Sequence, residues 1–180
     1  MGPVRRFVLV LLLLPGPAQW SGSAQADDAP LGRGSVDRVV IRKAQHVLEA
    51  WSGERLLRQY RVAIGSGGAG PKRAEGDNRT PEGRYRIDRR HHSRAFHRFL
   101  HVSYPSAEDR RAFREALRRG ALPRGTRLGG DIGIHGEARG WEGAPHKSVD
   151  WTAGCVALDN DEIEELFAAV RPGAVVEIVP

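Results

Sequence analysis

Hydrophobic and polar residues in this chain trade places over short stretches and seldom settle into long helical stripes. Residues 38–43 (RVVIRK) and 46–51 (HVLEAW) are β-prone and read as strands. Over 56–64 the alternation is partial and predicts Leu57, Tyr60, Val62 and Ile64 as inward positions. The glycines of 65–70 end that run, and 75–81 reads as a polar loop. Residues 83–87 and 96–104 predict further strands. Helical spacing is found in two places. Ser106 followed by Asp109 resembles a capping box, after which Ala112, Phe113, Ala116 and Leu117 recur on one face and Arg110, Arg114 and Arg118 on a solvated one. A second helix is expected from Asp159 and Asn160, with Asp161 and Glu162 suiting its N-terminal dipole. Ile163, Leu166, Phe167 and Val170 form its core stripe, and Pro172-Gly173 is expected to stop it. Residues 174–179 then close the chain as an apolar strand. Short strands, two short helices and no βαβ rhythm predict a mainly β single domain.

The first residues stand apart from that pattern. Arg5 and Arg6 precede the apolar run 7–14, Pro15 and Pro17 follow, and Ala24-Gln25-Ala26 offers a small-x-small cleavage signal. That order reads as a secretory signal peptide over 1–26, cut near Ala26, with a flexible lead-in over 27–35 and the folded domain over 36–180. The apolar run is far short of the ~20 residues that span a bilayer. The expected location is therefore outside the cytoplasm, in the periplasm or cell envelope. Losing Arg5 and Arg6 with the leader lowers the formal net charge from +6 to +4. The basic excess suits an anionic envelope surface or an acidic substrate, and no motif for nucleic acid accompanies it.

Cys155 is the only cysteine, so this exported chain cannot staple itself. A lone thiol is buried and inert, waiting for a partner chain, or chemically employed. Its surroundings point to chemistry. Asp131-Ile132-Gly133-Ile134 alternates like a strand whose end presents His135, and Gly136 would let a backbone or a substrate come close. A loop containing Gly140, Gly143 and Pro145 separates that strand from Asp150-Trp151-Thr152-Ala153-Gly154-Cys155. A thiol attacking an amide must shed its proton, and histidine is the usual base. The carbonyl oxygen becomes anionic, and the N–H groups of Ala153, Gly154 and Cys155 are candidate donors. His146, in what reads as a flexible loop, is a rival base. On the residues alone, a structural thiol and a Cys155–His135 dyad both remain open.

His135-Gly136, a glycine-containing loop and Thr152-Ala153-Gly154-Cys155-Val156-Ala157-Leu158 together resemble the signature of the L,D-transpeptidase catalytic domain (YkuD-type) family. Gly76-Asp77-Asn78-Arg79-Thr80-Pro81-Glu82-Gly83-Arg84-Tyr85 is similar to the family's second motif, and Ser103-Tyr104-Pro105 with Asp109 also fits. The resemblance implies a β-sandwich-like catalytic domain working as a cysteine acyltransferase. Cys155 would be its nucleophile and His135 its general base, with oxyanion donors from Ala153 and Gly154. Peptidoglycan stem tetrapeptides would donate the acyl group with release of D-alanine, and an amine would accept it. Hydrolysis of the same acyl-enzyme, as a carboxypeptidase or amidase, and a non-catalytic wall-binding module are the alternatives. No cofactor is implied, and a monomer is expected. Two positions depart from the family pattern: Ala153 stands where a histidine is usual, and Ala157 where an arginine is usual. The Trp-Thr-x-Gly-Cys-Val-Ala form looks like a variant subgroup, and Arg139 and Lys147 are candidate replacements for the arginine. Gly136, Arg139, Trp151 and Thr152 complete the expected substrate side.

A metal reading was weighed on His91, His92, His97 and His101. Arg89, Arg90, Arg94 and Arg98 crowd them, and no carboxylate sits at ligand spacing, so no metal site is expected. Packing is the simpler role for Trp151, and a turn the simpler role for Thr80-Pro81-Glu82-Gly83.

Overall fold

The computed structural model describes residues 30–180, so the expected leader over 1–26 and the start of the lead-in lie outside the described residues. Strands β1 (Val36–Arg42), β2 (Val47–Ser52) and β3 (Arg55–Arg61) form an antiparallel meander. After a long loop come β4 (Gly83–Ser93) and β5 (His97–Val102), then α1 (Ala107–Arg118) and β6 (Gly133–His135). Then β7 (Val156–Ala157), α2 (Asn160–Ala169) and β8 (Val170–Val179) end the chain. The eight strands make one sheet in the order β3-β2-β1-β8-β4-β5-β6-β7. Most neighbours are antiparallel, but β8 enters parallel to β1 and β7 parallel to β6. The sheet also curls until its edges meet. Just past β3, Ala63 bridges Ala157 of β7, with N–H···O distances of 3.1 and 2.8 Å, and Gly65 bridges Thr152. The expected sandwich-like β domain is thus a single curled sheet around its own core.

That core takes the inward residues of each strand, among them Val39, Ile41, Leu48, Ile87, Leu100, Ile134, Val156 and Ile178. Complete burial of each such side chain contributes about 1.5–3 kcal/mol. Leu57, Tyr60, Val62 and Ile64 are all buried as expected. The partial alternation has a cause: the β2–β3 register slips between Ala50 and Trp51, which admits Leu57 as an extra residue. α2 adds Ile163 and Leu166, both fully buried, while Phe167 is only partly covered. Its capping residue Asp159 has its N–H held by Glu162 Oε2 at 3.0 Å. α1 begins with the expected box, Ser106 N to Asp109 Oδ2 at 2.8 Å and Asp109 N to Ser106 Oγ at 3.2 Å, and buries no residue completely. Arg110, Arg114 and Arg118 face solvent, as the spacing predicts.

Two boundaries differ from the sequence expectation. Pro172-Gly173 does not stop α2; the helix ends at Ala169, and both residues lie in β8. The strand bows there, its partner register jumping from Val36–Val170 to Arg38–Val175. Lys43 is not a strand terminus. It turns inward in a 3-10 turn (Lys43–Gln45), 3% exposed, where its ammonium donates to Gly70 O, Thr80 O and Glu82 Oε1. Glu82 is accordingly a structural counter-charge.

Candidate active site

His135 ends β6 and pairs in parallel register with Ala157, while Ile134 pairs with Val156. One step earlier, Cys155 lies level with Gly133. Side chains alternate along strands, so Cys155, Ala157 and His135 share one face, with the thiol and the imidazole as diagonal neighbours. Cys155 is half-buried; its sulfur lies 3.7 Å from Asp131 O. His135 is 1% exposed, covered by Phe96 at a centroid distance of 4.2 Å and flanked by Phe99 and Trp151, both at 5.8 Å.

The hydrogen bond at His135 Nδ1 fixes the tautomer. Its partner, 2.7 Å away, is Gly136 O, and a carbonyl can only accept. Nδ1 therefore carries the proton, and Nε2 is free to accept one. Burial pushes the imidazole down to about 4; the Gly136 bond opposes this, and nearby His146 adds to it. Burial likewise raises the Cys155 thiol, assisted by Asp131 and opposed by the Gly133 N–H and the Lys72 ammonium. Both shifts run against the charged forms, a thiolate on Cys155 and an imidazolium on His135.

The turn that leads into Cys155 is built by three chain segments in close backbone contact. A Cβ on Gly154, at φ +126°, would stand 2.7 Å from Arg79 O. One on Gly65 would stand 2.1 Å from Asn78 O and 2.9 Å from the Gly154 Cα. Gly65 N donates to Thr80 Oγ1 at 2.9 Å, and Ser66 N to Thr152 O at 3.0 Å. Asp77 organises the middle segment, accepting from Lys72 Nζ and from the N–H groups of Arg73, Ala74 and Arg79. Burial alone would raise the Asp77 carboxyl, but these donors outweigh it and hold it low. The two sequence motifs are therefore halves of one piece of construction.

Several expected site residues take other roles. Thr152 is buried, with its hydroxyl donating to Cys155 O at 2.7 Å and accepting from Gly154 N at 3.1 Å. It braces the turn. The same bond occupies the Gly154 N–H, so among the described residues the N–H groups of Ala153 and Cys155 are the ones left without a partner. Gly136 is enclosed: a Cβ there would meet Asn160 Oδ1 at 2.5 Å and Phe96 O at 3.1 Å, so its closeness serves packing. Lys147 is engaged by Asp159 Oδ2 at 2.7 Å and by Glu162, which removes it as a stand-in for the arginine. Arg139 is exposed, anchored through its backbone N–H to Ala95 O. Trp151 packs among Phe96, His135, Trp141 and His146. His146 is not in a loose loop. It is 3% exposed in a 3-10 turn (His146–Ser148), with Nε2 2.9 Å from Asp159 Oδ1. Two of the four histidines do acquire carboxylate partners, Glu164 for exposed His97 at 2.8 Å and Asp88 of the neighbouring strand for buried His101 at 2.5 Å.

His135 thus ends one strand, and Cys155 immediately precedes the short parallel strand beside it. The profile of the YkuD family, described as the L,D-transpeptidase catalytic domain, matches residues 36–178, and the chain belongs to that family. Over 149 residues it is 29% identical to YafK of Escherichia coli K12, which carries the same family name; the match covers 79% of this chain and 50% of that one. The chain thus spans about half the length of the curated relatives it matches. Among solved structures, the fold is shared with the helical cell shape determining protein Pgp2 of Campylobacter jejuni, at a TM-score of 0.57 and 22% identity over 84% of this chain and 51% of that one. It is shared also with Bd1075 of Bdellovibrio bacteriovorus, at 0.55 and 20% over 83% and 53%. No helix among the described residues is long and apolar enough to cross a membrane.

Proposed function

We propose that the protein is an exported cysteine acyltransferase acting on peptidoglycan stem peptides in the cell envelope, with Cys155 as nucleophile and His135 as base. The observation that carries this reading is the His135 tautomer. With Nδ1–H held by Gly136 O, the unprotonated Nε2 lies on the same sheet face as the thiol. As Sγ bonds to the scissile carbonyl carbon of a tetrapeptide, Nε2 takes the thiol proton, and the oxyanion accepts hydrogen bonds from the free N–H groups of Ala153 and Cys155. Collapse breaks the C–N bond, and the imidazolium returns its proton to the departing D-alanine amine. An incoming amine then loses a proton to Nε2 as it attacks the thioester, and the sulfur leaves to be reprotonated.

The test is incubation with purified disaccharide-tetrapeptide, followed by mass spectrometry of intact protein and products. An acyl adduct absent from Cys155→Ala, with dimers that have lost D-alanine, is expected. Tripeptide without dimers would assign hydrolysis, and the absence of adduct and product would leave a binding module. His135→Ala reacting as fast as wild type would refute the base assignment.

A further inference from the structure

Away from the thiol, Glu137, His146 and Asp159 converge so that one ligand atom from each lies within 4.8 Å of the other two. Glu137 follows β6 two residues beyond His135, His146 opens the 3-10 turn, and Asp159 caps α2. All three line a cavity of about 900 Å³ that includes neither Cys155 nor His135. Glu137 is 6% exposed and the His146 side chain is wholly covered, so these are not ordinary solvated groups.

Their hydrogen bonds leave the cluster unfinished. Both donors to the Glu137 carboxylate, Gly143 N at 2.9 Å and Asn160 Nδ2 at 3.2 Å, reach Oε2, so Oε1 has no partner among the described residues. His146 has one ring nitrogen on Asp159 Oδ1, and its Nδ1 is buried with none. A buried imidazole edge without a partner is costly in a folded protein. The other oxygens, meanwhile, are tied from outside: Lys147 Nζ holds Asp159 Oδ2 at 2.7 Å, and Asn160 holds Glu137 Oε2. Such outer contacts orient carboxylates around a metal.

We propose that Glu137, His146 and Asp159 bind one divalent transition-metal ion, with zinc as the test case. Two carboxylates balance the 2+ charge, and an imidazole nitrogen with oxygen donors suits zinc or its neighbours better than calcium or magnesium. Zinc–ligand distances of about 2.0–2.2 Å require the donors to draw in by roughly 1 Å, and a water completes four-coordination. The ion is structural in this position. It fastens the loop between His135 and Cys155 to the first turn of α2, and no step of the acyl transfer passes through it. The sequence gives no cue to this site, because its third ligand comes from the cap of a distant helix.

The experiment uses tag-free protein carrying Cys155→Ser, so that the thiol cannot hold metal, stripped with chelator and titrated with Zn²⁺ against a chromophoric competitor. One equivalent bound with a micromolar or tighter dissociation constant, together with a raised melting temperature, is expected. Glu137→Gln and His146→Ala should each weaken binding by about ten-fold or more, whereas a double His91→Ala, His92→Ala variant should bind like its parent. Glu137→Gln keeps the shape of the side chain, and its melting temperature without zinc reports whether it folds. The proposal is overturned by no uptake at ~100 µM Zn²⁺, by unchanged affinity in Glu137→Gln, or by loss of binding in the surface-histidine variant.

Discussion

His135 should make the protein lose stability in weak acid by an amount its burial fixes. Its folded-state pKa of about 4 lies below the ordinary 6.5 that an unfolded chain would show. Between those values the unfolded state binds the extra proton, so stability rises with pH. The neutral imidazole therefore imposes no penalty above pH 6.5, and the loss grows as pH falls toward 4. Linkage over that interval gives about 2 kcal/mol by pH 5 and about 3 kcal/mol by pH 4. The assay is urea unfolding of wild type and His135→Gln across pH 7 to 4. Their stability difference, not either absolute value, isolates this residue from the other histidines and carboxylates. Wild type should lose about 2 kcal/mol more than the variant by pH 5. Parallel loss in the two proteins would refute a buried, neutral base and favour a preformed imidazolium.

Cys155 should react with iodoacetamide at a rate that still climbs above pH 9, since burial raises its thiol; a plateau near neutrality would reveal a thiolate ion pair. Gly154→Ala should cost about 2 kcal/mol or more, because it combines a positive φ with a Cβ against Arg79 O, and it should abolish alkylation of Cys155 under native conditions. Wild-type stability in that variant would mean the turn relaxes freely. Lys43→Met should cost about 3–5 kcal/mol in thermal unfolding by leaving Glu82 without its counter-charge; a neutral outcome would show that Glu82 is hydrated.

Local features of the fold were readable along the chain. Ser106 with Asp109 announces a helix start because a cap acts within one turn, and Asp161 and Glu162 mark the second by suiting its N-terminal dipole. The alternation at Val62 and Ile64 announces a buried face because side chains alternate along a strand. What stayed hidden depends on contacts between distant segments. Nothing near Pro145 shows that His146 is enclosed, since its enclosure comes from α2. Nor does the Thr152-x-Gly154 spacing disclose that the threonine hydroxyl takes the Gly154 N–H, which leaves Ala153 and Cys155 as the free donors. Lys147 looked available because Glu162 lies fifteen residues away on a helix. Lys43 looked like the end of a strand until Gly70, Thr80 and Glu82 surrounded its ammonium.

The closure of the sheet at Ala63 and Ala157 also bears on how the segment after Cys155 is held. β7 is two residues long and borrows its hydrogen bonds from β6 on one side and from the segment after β3 on the other. The second contact joins chain positions more than ninety residues apart. Closing so long a loop carries an entropic cost that the rest of the fold offsets. The short strand after Cys155 is thereby gripped from both sides, by β6 and by the segment after β3.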